Sequence, residues 1–287
     1  MHTIDLAYVG RGIHEELIAH VADQEGYYRD EGVHVAIRDG VGWQAQRLRH
    51  VAVIGLGRAL LSRLNDGIGW KALSVNTDRP LFWFLGNAEV KSMADLRGRR
   101  LAVHAADNPP GAFARIVLRK HSLDPDRDLH CLVRHPGDYQ MDLRRLRDGS
   151  IDAAYVGSTL SPEQVAAEEG FHLLAWVGDH FQIPTVGVAV DPVHIPPDSP
   201  ALGPSSGPIS ARCDCSPNTQ AAQSNTSTGS SIGSRRKKRN DTTSATSGPT
   251  SPPDYRVDLR VAQQSIDAVA RELGIAPVAA ADFYRTG

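Results

Sequence analysis

Cysteine is nearly missing from this chain: Cys131, Cys213 and Cys215 are the only three in 287 residues. Three thiols cannot build a disulfide framework, and Cys213-Asp214-Cys215 is spaced too closely for an ordinary bridge or a Cys-x-x-Cys redox motif. Long apolar runs are missing as well. No window reaches the roughly 18 apolar residues of a membrane span, and residues 1–25 hold no basic segment followed by an apolar one. As written, the chain is expected in the cytoplasm, or in the periplasm or outside the cell if a start upstream of Met1 has been missed. A strong charge bias is also absent. The formal net charge is -2, which excludes the basic surplus of a general nucleic-acid or membrane-surface binder. None of the twelve histidines stands at His-x-x-x-His spacing, and no Gly-x-Ser-x-Gly elbow or phosphate loop occurs. Carboxylates are scattered. No catalytic residue, metal or cofactor is therefore nominated.

What the chain has is alternation of strand and helix. An alternating apolar strand, Thr3–Val9, ends at Gly10-Arg11-Gly12, and a helix follows with Leu17, Ile18, Val21 and Ala22 on one face. Strands over Val33–Ile37 and Val51–Ile54, a helix over Ala59–Leu64 and a strand over Trp70–Val75 come next. Leu81–Leu85 reads as a strand crossing into a second lobe. That lobe opens at Ser92-Met93-Ala94-Asp95, a capped turn, and continues with a strand over Arg99–His104. Asn108-Pro109-Pro110-Gly111 then starts a helix carrying Phe113, Ile116, Val117 and Lys120. Strand Leu129–Val133, helix Tyr139–Arg147 with Gly149 behind it, and strand Ile151–Val156 repeat the pattern. Ser161-Pro162 and Gly170 bracket a further helix, strand His172–Trp176 follows, and Pro184–Val190 carries the chain back. Asp258–Leu273 is an amphipathic helix stopped by Gly274. This spacing predicts an α/β protein with mostly parallel sheets.

Residues 203–253 break the pattern. Ile209 and Ile232 are the only large aliphatics among Ser, Thr, Asn, Gly and Pro, too few to offset the entropy of ordering the segment. It is expected to be disordered low-complexity sequence. Because α/β patterning stops at Leu202 and resumes at Tyr255, the expectation extends to an out-of-frame read of a helical region. The basic run Arg235–Arg239 inside it is given no function.

Three phrases carry a resemblance: Glu25-Gly26-Tyr27-Tyr28-Arg29-Asp30-Glu31-Gly32-Val33, then Ser92–Val103, then Leu146-Arg147-Asp148-Gly149-Ser150-Ile151-Asp152-Ala153-Ala154. In this order they resemble the solute-binding proteins of ABC importers for nitrate, taurine, aliphatic sulfonates and thiamine-pyrimidine precursors. The resemblance implies a two-lobed, type II periplasmic-binding-protein-like fold with the ligand cleft between lobes. Lobe 1 would hold residues 1–80, lobe 2 residues 81–183, with 184–202 and 254–287 returning to lobe 1. It also implies a monomer that captures a small, anionic or zwitterionic molecule by lobe closure, with an ABC permease as partner. Two enzymes share these lobes. A thiamine-pyrimidine synthase uses a lysine and a cysteine-rich run that this chain lacks. An aromatic-acid decarboxylase would need an acid or base, for which His104, Asp138 and His180 are the candidates. A cytoplasmic ligand sensor is a third class.

In such a fold the ligand meets loops at the C-terminal ends of strands. The residues there are Tyr8, Gly10 and Arg11; Gly55, Gly57 and Arg58; Asn76 and Thr77; His104, Asn108, Gly111 and Ala112; and Tyr155, Gly157 and Ser158. Backbone N–H groups at the helix starts, helped by Arg11 and Arg58, would hold a carboxylate, sulfonate or phosphate. Each position also has a plainer role: a tight turn for the glycines, rim packing for the tyrosines, a structural histidine for His104.

Overall fold

Strand–helix alternation punctuated by glycine organises the chain into two sheets. The computed structural model describes residues 2–10, 13–30, 32–77, 79–134, 139–157, 161–197, 199, 202 and 257–284. Arg11, Asp138, Ser158 and the whole of 203–253, with its two cysteines and basic run, lie outside the described residues. The first stretch comprises β1 (His2–Tyr8), α1 (Ile13–Gln24), α2 (Tyr27–Asp30), β2 (Val33–Asp39), α3 (Ala45–Leu48), β3 (Ala52–Ile54), α4 (Leu56–Asp66) and β4 (Lys71–Ala72). The second comprises β5 (Phe82–Gly86), β6 (Arg100–Val103), α5 (Pro109–Lys120), β7 (His130–Val133), α6 (Tyr139–Arg147), β8 (Ala153–Gly157), α7 (Pro162–Glu169) and β9 (His172–Trp176). β10 (Val188–Val190), α8 (Leu259–Leu273) and α9 (Ala280–Phe283) complete the described chain.

Local chemistry sets these limits. Ser92 and Asp95 close a capping box around the 3-10 turn Met93–Leu96. Asn108, Ser161 and Asp258 accept backbone N–H groups in the first turns of α5, α7 and α8, satisfying donors that a helix start otherwise leaves open. Gly67, Gly170 and Gly274 end α4, α7 and α8 in the left-handed region, which costs a glycine little.

The two sheets repeat one plan. Their orders are β2-β1-β3-β10-β4 and β7-β6-β8-β5-β9. In each, the first three strands are parallel and the fourth runs antiparallel to both neighbours. The fourth strand is the one that arrives from the other sheet's half: β5 on entry, β10 on return. Four of the five strands in each sheet thus run the same way, the mostly parallel sheet expected, and only β10 and β5 are reversed.

Other expectations shift for physical reasons. The strand expected over Trp70–Val75 shrinks to two residues, because the amides of Leu73 and Ser74 both turn to the Val188 carbonyl and lose the ladder register. Trp70 instead lies fully buried with its indole N–H on Ser62 Oγ at 3.2 Å. α1 buries Glu15, Ala19 and Ala22 while Leu17, expected on its inner face, stays 39% exposed. Cys131 is exposed on β7, an edge strand.

α8 buries Ala262, Ile266, Val269 and Ala270 and packs on α5, where Arg115 pairs with Glu272 at 2.8 Å. α9 packs on β4, and Tyr284 bridges to Ala72. The closing segment therefore touches both halves. One apolar core runs from Val53, Leu56 and Trp70 through Ile266 to Phe84, Leu101 and Tyr155, and both sheets belong to one compact unit.

Candidate functional site

In each sheet the strand order reverses direction at the centre of the parallel trio, and the crevice at the C-terminal ends of those strands is where open α/β sheets take ligands. In the first sheet Tyr8 and Gly10 stand at the end of β1 and Gly55 at the end of β3. In the second, His104 follows β6 and Gly157 ends β8. These residues thus lie at or just beyond the C-terminal ends of their strands. The chemistry found there differs from what was expected.

The first-sheet amides nominated for an anion are already used. Gly10 N–H donates to Glu15 Oε2 at 2.7 Å. Gly55 donates to the Gly187 carbonyl at 3.1 Å, Gly57 to Thr185 at 3.4 Å, and Asn76 and Thr77 to Val186 at 2.9 and 3.4 Å. A segment of β10's lead-in therefore takes the place of an external acceptor. Glu15 is buried, and burial pushes its carboxyl up to about 7 against the pull of the Gly10 and Val9 amides. Tyr8 is half-buried beside His20, with ring centroids 6.5 Å apart. Arg58 is exposed in the first turn of α4, a turn with no acidic residue. Thr77 Oγ1 is buried and has no hydrogen-bond partner among the described residues.

The second-sheet end is built from side chains. Arg134, directly after β7, is buried and donates through Nη1 to Asp142 Oδ2 at 3.2 Å. Its Nη2 lies 3.0 and 2.5 Å from the two ring nitrogens of His104. Burial, reinforced by that guanidinium, pushes His104 down to about 3, so the imidazole is neutral and its unprotonated nitrogen accepts. His104 stands edge-on to Phe82 and Tyr155, and the Phe82 and Tyr155 rings stack at 5.3 Å. Tyr155 is fully buried, and its hydroxyl has no hydrogen-bond partner among the described residues. Burial drives that phenol well above its ordinary value.

The remaining nominations have structural work. Asn108 Oδ1 accepts the Gly111 amide at 3.0 Å as the cap of α5. A Cβ on Gly111 would stand 1.9 Å from the Ala105 carbonyl oxygen, so this glycine permits close backbone packing. Ala112 is buried and donates to the Asn108 carbonyl. Gly157 pairs with Phe82. His180 lies apart from His104, edge-on to His121, with its carbonyl accepting from Lys120 Nζ at 3.2 Å. Burial and Lys120 lower its imidazole.

Sequence reasoning missed Glu15, Arg134 and Asp142. Arg134 had a signal: it follows a strand end in the same way as His104. Glu15 had none, since an acid in a first helical turn ordinarily faces water. Two surface hollows, of about 410 Å³ between α8 and α9 and about 420 Å³ around Trp43 and Arg47, are lined by none of the nominated residues.

The model of the family described as NMT1/THI5 like matches residues 16–187, more than half of the chain. The chain belongs to the NMT1/THI5-like family. The match runs from within α1 to the lead-in of β10; it covers the second-sheet cluster and Gly55 to Thr77 of the first, while Tyr8, Gly10 and Glu15 precede it. Among solved structures, the periplasmic aliphatic sulphonate binding protein SsuA from Escherichia coli is similar with a TM-score of 0.56 at 14% identity, over 96% of this chain and 80% of that one. The alkanesulfonate-binding protein SsuA from Xanthomonas axonopodis pv. citri, bound to MOPS, gives 0.51 at 13% identity over 98% and 82%. A protein from Bordetella bronchiseptica RB50 gives 0.54 at 20% identity over 73% and 70%. These likenesses establish the periplasmic-binding-protein fold for this family member. No curated protein matches the chain by sequence.

Proposed function

We propose that the chain is the solute-binding component of an ABC importer, a monomer that captures a small anionic or zwitterionic organic molecule by closure of its two halves. The observation that carries this reading is the Tyr155 hydroxyl, fully buried and without a partner among the described residues. Leaving such a group unpaired costs about 1–3 kcal/mol, and a ligand oxygen would remove that cost. Arg134 beside it, with a neutral His104 against its guanidinium, supplies positive charge for the acidic end of the same ligand. Tyr8, Arg58, Asn76 and Thr77 are the side chains we assign to the first-sheet end, with Gly157 and the undescribed Arg11 and Ser158 at its margins. The sulphonate binders of the same fold support this class of solute, and their periplasmic setting supports an extracytoplasmic site of action with a permease as partner. We place the halves at residues 1–80 and 81–183, with 184–202 and 254–287 completing the first.

The reading is tested by thermal shift with sulfonates, aromatic acids and pyrimidines. A compound held at about 100 times its Kd stabilises by about 2.7 kcal/mol, a readily visible rise in Tm. The hit should be recovered unchanged, and Tyr155→Phe should weaken it by about tenfold. Consumption of the compound, or binding indifferent to Tyr155, would overturn the assignment.

A further inference from the structure

Gly10 and Gly55 shape a notch at the first-sheet strand ends, and the occupant of that notch is part of the chain. A Cβ at Gly10 would stand 2.6 Å from Glu15 Oε2; one at Gly55 would stand 3.3 Å from Glu15 Oε1 and 2.4 Å from Val9 Cγ2. Both glycines are thus needed to seat the Glu15 carboxylate and its neighbour Val9. Gly55 also has φ +133°, a backbone that side chains rarely adopt. The positive end of α1 is answered by two carboxylates of its own first turn, Glu15 and Glu16. A solute oxyanion arriving here would meet a buried acid where it needs free amides.

Resting on the solute-binding reading above, we infer that Glu15 is a specificity-determining residue: it fills the first-sheet amide notch in place of an oxyanion and selects a solute that brings an ammonium, amidinium or amino N–H donor to this end. The acidic or carbonyl end of that solute turns to Arg134, His104 and Tyr155. Of the two solute classes considered, the zwitterion is the one the side chains complement. Burial supports the assignment, because it disfavours the charged carboxylate despite the Gly10 and Val9 amides, and a cation beside it would favour that charge.

Matched acids that differ by one amino group test this: ethanesulfonate and taurine, propanoate and β-alanine, benzoate and 4-(aminomethyl)benzoate. Binding is measured by calorimetry on the wild type and Glu15→Gln, which keeps shape and an acceptor but removes the charge. The aminated member should bind the wild type about tenfold or more tightly than its plain partner, and Glu15→Gln should abolish that preference. Independently, methanesulfonate should raise the Tm of Glu15→Ala saturably, by filling the vacated notch, and by clearly more than it shifts the wild type. Plain acids binding the wild type as well as aminated ones, a preference that survives Glu15→Gln, or equal methanesulfonate shifts in both proteins would each overturn the inference. Pairs that bind without amino preference sink the role of Glu15 and leave solute capture standing. If no pair binds either protein while methanesulfonate still separates Glu15→Ala from wild type, solute capture falls and the occupied notch stands.

Discussion

Replacing Glu15 with glutamine should make the protein more stable at alkaline pH, and the size of the effect follows from one carboxyl. Burial raises it from the usual 4.5 to about 7. The folded chain therefore keeps a proton between those values that the unfolded chain has released. Wild-type stability contributed by this group is complete below about pH 4.5, falls as pH rises, and levels off above about pH 7. At about 1.36 kcal/mol per tenfold change in proton affinity, the loss is about 3 kcal/mol. The glutamine amide mimics the protonated acid and can still accept the Gly10 N–H, so the variant should show no such decline. Urea unfolding of both proteins at pH 5 and pH 8 gives the test. The two should have similar midpoints at pH 5, and the variant should lead by about 3 kcal/mol at pH 8, with unchanged m-values. A gap that is the same at both pH values, or a variant weaker than wild type at pH 8, would refute the claim that Glu15 is held ionised at the expense of the fold.

Asp142→Ala should cost about 3–5 kcal/mol in chemical denaturation, since it leaves the buried Arg134 guanidinium without its carboxylate; a loss below about 1 kcal/mol would show that Arg134 finds water instead. Tyr155→Phe should leave the free protein as stable as before, or up to about 1 kcal/mol more so, because the hydroxyl it deletes is unpaired; a clear drop in Tm would mean the hydroxyl is bonded in the free protein. His104 is lowered from 6.5 to about 3 by burial and then Arg134. Its contribution is complete above pH 6.5 and is lost as pH falls toward 3, so His104→Gln should flatten the acid limb of the stability profile; an unchanged limb counts against a buried neutral imidazole.

The sequence showed the order of elements because each boundary carries its own local chemistry. Ser92, Asn108, Ser161 and Asp258 cap, and Gly170 and Gly274 stop, within the span of a helical turn, so no distant contact is needed to read them. α6 and β9 fall on the residues expected, and the apolar face of α8 is the one its spacing implies. Pairing direction was harder to see. β5 and β10 look like any apolar strand in isolation, and only the path of the chain between the sheets makes them antiparallel. The strand-end loops of the candidate site were legible as places, since turn residues mark them. Their occupancy was not: whether Gly55 N–H faces a ligand or the Gly187 carbonyl depends on a segment more than a hundred residues away. The same holds for Glu15, whose turn inward is decided by the two glycines it lies against.

The tie between the two crossovers has a mechanical consequence. Where the chain leaves the first sheet, Asn76 and Thr77 donate to Val186, and Ser74 Oγ accepts from Val188 at 3.2 Å, on the strand by which it comes home. Outgoing and incoming tethers are thus laced into a single ribbon. A ribbon resists bending in its own plane far more than folding across its face, so any flexing of the chain at this point is steered into one direction, like a book on its spine.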